Sequence, residues 1–308
     1  MHLKPIRIGT RGSKLALWQA QWVAQQLSLR GIDAETIVIS TTGDASNVPL
    51  GTIGGQGVFT KEIQRELLAG SIDLAVHSLK DLPTQPTPRI VLAAVPGRET
   101  TQDCLISRYG LKFQQLPRGA KIGTNSARRS AQLLAWRDDV QIADIRGNID
   151  SRLRKLEEGQ FDAIVLAAAG LTRLKLLSYV TEHLPQDRMM PAVGQGALGL
   201  ECRSDDEPTR SAVSGLDDPC SHACVLAERE LLRSLQAGCL APVAALATVF
   251  NEELELAGRV LSLNGRQILE GRVRGRMAVA ASLGHKLAAD LLDQGAARLI
   301  ATQRTNQC

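Results

Sequence analysis

Aromatic side chains are scarce in this 308-residue chain, with three Trp, two Tyr and four Phe making up 3% of the residues. A nucleic-acid surface wants stacking rings set in a broad basic field. The formal net charge is only +4, so no nucleic-acid partner is expected. Long apolar runs are missing too. No stretch approaches the roughly 18 residues needed to span a bilayer, and residues 1–9 lack the apolar core of a secretory signal. A cytoplasmic protein without membrane contact is the expectation. Histidines number five, and none stands at metal-ligand spacing from the only close cysteine pair, Cys220 and Cys224. The other cysteines, Cys104, Cys202, Cys239 and Cys308, lie far apart, which excludes a disulfide framework or zinc site as an expectation; no metal is implied. Cys220 and Cys224 read as helical neighbours at i,i+4. Cys239 differs because it follows Ala237-Gly238 after a helix, in a loop where a thiol can be exposed, although a lone loop cysteine is more often incidental.

What is abundant is arginine, 27 against 9 lysines. That ratio suits planar recognition of carboxylates, and it equally suits a GC-rich genome, so position has to decide. The arginines cluster at helix starts in turns rich in Gly, Ser and Thr: Arg11 in Gly9-Thr10-Arg11-Gly12-Ser13, Arg128-Arg129 after Gly123-Thr124-Asn125-Ser126, and Arg146 in Arg146-Gly147-Asn148. A helix N-terminus offers unpaired N–H groups and partial positive charge, and a guanidinium fork adds a bidentate grip, so such turns bind anions.

The length predicts two or three domains. Residues 5–9, 34–40, 72–77 and 89–95 read as strands around helices over 13–30 and 59–69, with a polar, Gly-rich loop over 41–57. From residue 102 the pattern restarts, with strands over 120–123, 140–145 and 162–168 and helices over 126–136 and 148–158. Strands apolar throughout and alternating with helices predict parallel sheets covered on both faces. Ile8-Gly9-Thr10-Arg11 and Ile122-Gly123-Thr124-Asn125 form a faint echo, as two similarly built domains facing a shared cleft would supply. After the connector 191–196 come a strand over 197–202 and a helix over 218–236. Antiparallel strands over 246–250, 254–261 and 267–273, with Asn264-Gly265 as a hairpin turn, and a helix over 279–294 make a third, small α+β domain.

Six motifs taken together resemble the porphobilinogen deaminase family. They are Arg7-Ile8-Gly9-Thr10-Arg11-Gly12-Ser13, His77-Ser78-Leu79-Lys80-Asp81-Leu82-Pro83, Gly123-Thr124-Asn125-Ser126-Ala127-Arg128-Arg129, Arg146-Gly147-Asn148, Pro191-Ala192-Val193-Gly194-Gln195-Gly196-Ala197 and Gly238-Cys239. They stand in the family's order and spacing across essentially the whole chain. The resemblance implies two α/β domains like those of periplasmic binding proteins, flanking a cleft, plus a small C-terminal α+β domain. The divisions implied are 1–96 with 197–214, 102–190 and 218–308, with hinges at 97–101 and 191–196. It implies a transferase of tetrapyrrole biosynthesis, expected as a monomer. Such an enzyme joins four porphobilinogens head to tail, each losing ammonia, on a covalent dipyrromethane cofactor, and then releases the linear tetrapyrrole by hydrolysis.

Carried over by position, Cys239 matches the thioether attachment point and Asp81 the catalytic acid, with Lys80 beside it. Lys80, Asp81, Thr124, Ser126, Arg128, Arg129, Arg146 and Gly147 match cofactor-binding positions. Arg11, Ser13, Phe59, Arg152, Arg173 and Gln195 match substrate-binding ones. Every pyrrole unit bears an acetate and a propionate, which accounts for the arginines. The chain departs from the family at Thr42, Thr52 and Gln56, where basic residues are frequent, and at Gln236, where glutamate is common; Asp44 and Phe59 are retained. A second reading, a non-catalytic anion-binding or regulatory protein of the hinged two-domain fold, needs neither Cys239 nor Asp81.

Overall fold

The computed structural model describes residues 4–40, 60–238 and 241–305. In chain order the elements are β1 (Ile6–Thr10), α1 (Lys14–Ser28), β2 (Ala34–Val38), α2 (Lys61–Ala69), β3 (Leu74–Ser78), β4 (Ile90–Ala94), β5 (Asp103–Ser107), β6 (Lys121–Gly123), α3 (Ala127–Trp136), β7 (Gln141–Ala143), α4 (Ile149–Glu157), β8 (Ala163–Ala167), α5 (Ala168–Arg173), β9 (Glu182–His183), β10 (Leu198–Arg203), α6 (Glu207–Ser214), α7 (Pro219–Ser234), β11 (Val243–Phe250), β12 (Glu253–Leu261), β13 (Ile268–Arg276), α8 (Ala280–Asp293) and α9 (Ala296–Thr305). A 3-10 turn covers Leu79–Asp81. Of the expected features, the 41–57 loop with Thr42, Asp44, Thr52 and Gln56, as well as Phe59, Cys239 and Cys308, lie outside the described residues.

The chain divides into two compact units, Met1–Arg98 with Ala197–His222, and Glu99–Gly196 with Ala223–Cys308. In the first, one sheet runs in the order β2-β1-β3-β10-β4. β1 is parallel to β2 and β3, while β10 is antiparallel to β3 and β4. The second unit repeats the plan as β7-β6-β8-β5-β9, with β6 parallel to β7 and β8 and β5 antiparallel to β8 and β9. The expectation of all-parallel sheets is therefore corrected: both sheets are mixed. An unbroken apolar strand reports burial on both faces, and burial carries no information about direction. β5 and β10 are each reached as the chain passes from one unit into the other, not through a crossover helix from a parallel neighbour, so nothing forces them parallel.

The echo between residues 8–11 and 122–125 falls at equivalent places. β1 and β6 each stand second in their sheet, flanked by parallel strands. Packing explains the shared glycine. A Cβ at Gly9 would lie 2.3 Å from Ile72 Cδ1, and one at Gly123 would lie 3.0 Å from Phe161 Cδ1. A serine caps the helix that follows each turn, though not at the same offset from the glycine: Ser13 Oγ accepts from the Ala16 N–H at 3.3 Å and Ser126 Oγ from the Arg129 N–H at 3.4 Å, which satisfies one orphan donor in each first turn. Helix α1 then buries Ala20, Val23 and Leu27 at helical spacing against Ile8, Leu74 and Leu200.

The second unit also contains the antiparallel meander β11-β12-β13. Leu231 of α7 and Leu287 and Leu291 of α8 pack with Leu256, Val260 and Val273 in a single apolar cluster. On β12, Arg259 donates to Gln132 Oε1 of α3 at 2.8 Å and to the Asp187 carbonyl at 2.8 Å. The arginine-bearing helix α3 is thereby fixed to the meander.

Candidate active site

In the first unit, the carboxyl ends of the adjacent strands β1 and β3 carry the matched residues. Open α/β sheets place ligands at that edge. Arg11 and Ser13 stand in the turn from β1 into α1, both partly exposed, and the Ser13 hydroxyl is engaged as the cap of α1. Lys80 and Asp81 form the 3-10 turn that leaves β3, with Lys80 half-buried and Asp81 exposed. A buried side chain on α1 braces this turn, since Gln19 Nε2 donates to Ser78 Oγ at 2.8 Å. Behind it, His77 Nε2 lies 3.2 Å from Glu201 Oε2, and Glu201 in turn accepts from Gln64 Nε2 at 3.0 Å. The turn that presents Asp81 thus rests on buried polar contacts from three elements.

In the second unit the matched residues come after β6, β7 and β8, again at carboxyl ends. Thr124 and Ser126 shape the entry to α3: Thr124 is buried and its Oγ1 accepts from the Ser126 N–H at 3.2 Å. Arg128 and Arg129 are 4% and 6% exposed, and both face Asp103, which is 0% exposed. Arg129 places Nε at 3.1 Å and Nη2 at 2.7 Å from Asp103 Oδ1, and Arg128 Nη1 pairs with Oδ2 at 2.8 Å. Arg128 Nη1 also donates to the Met190 carbonyl at 2.7 Å, and Arg129 Nη1 to the Val165 carbonyl at 3.0 Å. Burial pushes the Asp103 pKa up, but the charges of Arg128 and Arg129 and their hydrogen bonds outweigh it and hold the carboxyl well below the usual range. Burial pulls the Arg128 guanidinium down and Asp103 opposes it. Two guanidiniums against one carboxylate leave this triad one positive charge in surplus. Arg128 Nε is buried without a hydrogen-bond partner among the described residues.

The Asp103 shift has a measurable consequence. A carboxyl whose folded pKa is depressed contributes stability above its unfolded pKa, about 3.9, and loses it as pH falls from there toward the folded value. Urea unfolding tracked from pH 6 to pH 3 should therefore show a shallower acid loss in Asp103→Asn than in the parent. Parallel acid limbs would mean that Asp103 does not titrate as described.

After β7, Gly147 adopts φ +106°, a left-handed conformation that an L side chain resists. Asn148 then caps α4, its Oδ1 accepting from the Ser151 N–H at 3.0 Å. Arg152 and Lys155 fold back on this turn: Arg152 Nε donates to the Gly147 carbonyl at 2.8 Å and Lys155 Nζ to the Arg146 carbonyl at 3.0 Å. Arg152 is thereby brought onto the Arg146-Gly147 turn. Arg173 ends α5, is 9% exposed, and donates to the Gly196 carbonyl at 2.7 Å. Burial lowers its pKa and the charge of Glu99 opposes this. Gln195 is 1% exposed; its Nε2 donates to the Thr101 carbonyl at 2.7 Å and to Asp103 Oδ1 at 3.0 Å.

Asp103 was not anticipated as part of this site. The one available signal for Asp103 is a lone acidic residue heading an otherwise apolar strand, Asp103-Cys104-Leu105-Ile106. Among the described thiols, burial pushes Cys104 up to about 12 and Cys202 up to about 11, values that suit core packing and not nucleophilic attachment. The described residues hold no His, Cys, Asp and Glu group able to bind a metal ion, and no described helix is long and apolar enough to cross a membrane.

Two family models match the chain. The porphobilinogen deaminase dipyrromethane cofactor binding domain covers residues 6–211 and the porphobilinogen deaminase C-terminal domain covers residues 222–293. The porphobilinogen deaminase of Syntrophotalea carbinolica is 47% identical over 304 residues, 98% of this chain and 96% of that protein. That of Nocardia farcinica is 48% identical over 96% of this chain and 88% of its own length, and that of Pelotomaculum thermopropionicum is 45% identical over 99% and 98%. With arginine-lined strand ends in both units and identity sustained from end to end, the chain belongs to the porphobilinogen deaminase family.

Proposed function

We propose that the chain is a hydroxymethylbilane synthase, a transferase that joins four porphobilinogens head to tail with loss of ammonia and releases the linear tetrapyrrole by hydrolysis. The observation that carries this reading is the buried Arg128–Arg129–Asp103 triad. Its surplus positive charge and the unpartnered Nε of Arg128 fit an anionic group, as the carboxylates of a dipyrromethane supply. That cofactor, thioether-linked to Cys239, would offer the pyrrole α-carbon on which the product grows. Thr124, Ser126, Arg128, Arg129, Arg146 and Gly147 hold its acetates and propionates in this reading. Arg11, Ser13, Arg152 and Arg173 receive the carboxylates of incoming substrate.

Asp81 does the proton work, with Lys80 beside it. Its carboxylate orients the ammonium of the substrate's aminomethyl group, which departs as ammonia. It then faces the cationic methylene-pyrrole left behind, and it takes the proton released from the pyrrole α-carbon once the new carbon–carbon bond has formed. Its exposure on a turn braced from beneath suits a group that must meet successive substrates. The enzyme acts as a cytoplasmic monomer in this reading, without nucleic acid or membrane.

Replacement of the arginines by Leu tests the assignment. Each lost charge-assisted contact is worth roughly 1.5–3 kcal/mol. Arg128→Leu, Arg129→Leu and Arg146→Leu should block cofactor assembly or the first addition, whereas Arg152→Leu and Arg173→Leu should load cofactor and stall at an enzyme-bound intermediate. Intact mass before and after porphobilinogen reads both outcomes, and five variants indistinguishable from the parent would defeat the reading.

A further inference from the structure

The connector 191–196 is held residue by residue. Glu228, on the helix α7 that precedes Cys239 in the chain, is 0% exposed. Its Oε2 accepts from the Gly194 N–H at 2.8 Å and its Oε1 from the Ala247 N–H of β11 at 2.8 Å. One residue further, Gln195 Nε2 bridges Thr101 and Asp103 Oδ1. Gly196 receives Arg173 on its carbonyl. Asp103 is the shared acceptor that sets both Arg128 and Arg129. A carboxylate is the one side chain that can accept from two backbone N–H groups with two equivalent oxygens, so Glu228 fixes the connector to the meander in a single geometry.

We infer that Glu228 is a positioning residue for the arginine pair: by seating Gly194 it places Gln195 against Asp103, and Asp103 orients the guanidiniums of Arg128 and Arg129. The contacts make a continuous path from α7, the helix just before the cofactor cysteine in sequence, to the carboxylate-binding arginines. The inference rests on the reading that Arg128 and Arg129 hold pyrrole carboxylates. Among the described contacts, the influence of Glu228 on the arginine pair passes through Gly194, Gln195 and Asp103.

The test is a double-mutant cycle on the full chain. In Glu228→Gln the carboxamide keeps one acceptor but turns its NH₂ toward a backbone donor, and in Gln195→Met the bridge to Asp103 is lost at similar volume. Cofactor occupancy by intact mass, kcat and KM for porphobilinogen, and thermal midpoint are recorded for both single variants and the double. Each single variant is expected to lower kcat/KM about tenfold, chiefly through cofactor occupancy and kcat with KM for porphobilinogen little moved, and the double should fall no more than about twofold below the worse single, because sites in one path do not add. Additive losses near a hundredfold, or lowered midpoints with kcat/KM unmoved, overturn the inference. Should Glu228→Gln not fold, Glu228→Asp takes its place in the cycle with Gln195→Met, and the same criterion decides. Arg128→Leu serves as the control that separates the two claims. A parent-like Arg128→Leu sinks the reading of the arginines, whereas an impaired Arg128→Leu alongside additive variants sinks the positioning path alone.

Discussion

Cys239→Ser is expected to purify folded, carry no pyrrole adduct and form no product. The attachment step needs a thiolate, and a serine hydroxyl is a far weaker nucleophile near neutral pH. The described core thiols offer no replacement: burial lifts Cys104 to about 12 and Cys202 to about 11, and Cys224 is buried within the apolar cluster around the meander. Cys220 is exposed on α7, so Cys220→Ala is the informative control and should keep its adduct in full. Intact mass measures the adduct, and far-UV circular dichroism establishes that the serine variant is folded. A normal adduct in Cys239→Ser, or its loss in Cys220→Ala, would move the attachment point away from Cys239.

Much of the fold was legible where local physics dominates. The Gly-Thr turns after residues 8 and 122 announce two similar strand-to-helix junctions, because Gly9 and Gly123 face apolar side chains with no room for a Cβ and Ser13 and Ser126 cap helices α1 and α3. The meander was legible from alternation and from Asn264-Gly265. Strand direction was not. Leu198–Arg203 is apolar because it is buried between β3 and β4, and its antiparallel sense reflects the path by which the chain returns to the first unit. The helices at Glu207–Ser214 and Ala296–Thr305 went unanticipated, being short and close to stronger signals.

In the site, motifs located the arginines but not their surroundings. Arg128 and Arg129 lie in a helix whose pattern looks amphipathic and solvated, yet their partner Asp103 stands 26 residues before Arg129, a separation no helical or strand periodicity reports. The same holds for Glu228, whose acceptors meet Gly194 and Ala247 from distant segments. Gln195 was matched to substrate through its motif, while in the structure its amide nitrogen serves Thr101 and Asp103. Burial turns a row of anion-binding candidates into a network with a defined charge balance, and burial depends on contacts that only the assembled sheet creates.

Asp81 carries the second large effect. Asp81→Asn keeps the shape and hydrogen-bonding reach of the side chain on its 3-10 turn but removes the negative charge, whereas Asp81→Glu keeps the charge and displaces it by one methylene. Loss of general acid–base function typically costs 10²–10⁴-fold, and misplacing a catalytic group by ~1 Å about 10²-fold. The cation left after ammonia departs needs a facing charge, and the pyrrole α-carbon needs an acceptor for its proton; an amide supplies neither. Asp81→Glu should therefore carry assembled cofactor and turn over slowly. Asp81→Asn, supplied with preformed tetrapyrrole to load its cofactor, should be nearly inactive. Enzyme-intermediate masses and product absorbance after oxidation distinguish the two. The bracing of the turn by Gln19 and Ser78 remains in both variants, so a difference between them reports charge and not collapse of the turn. Equal rates for the Asn and Glu variants would show that Asp81 positions substrate without stabilising charge, and the proton role given to it would have to be reassigned.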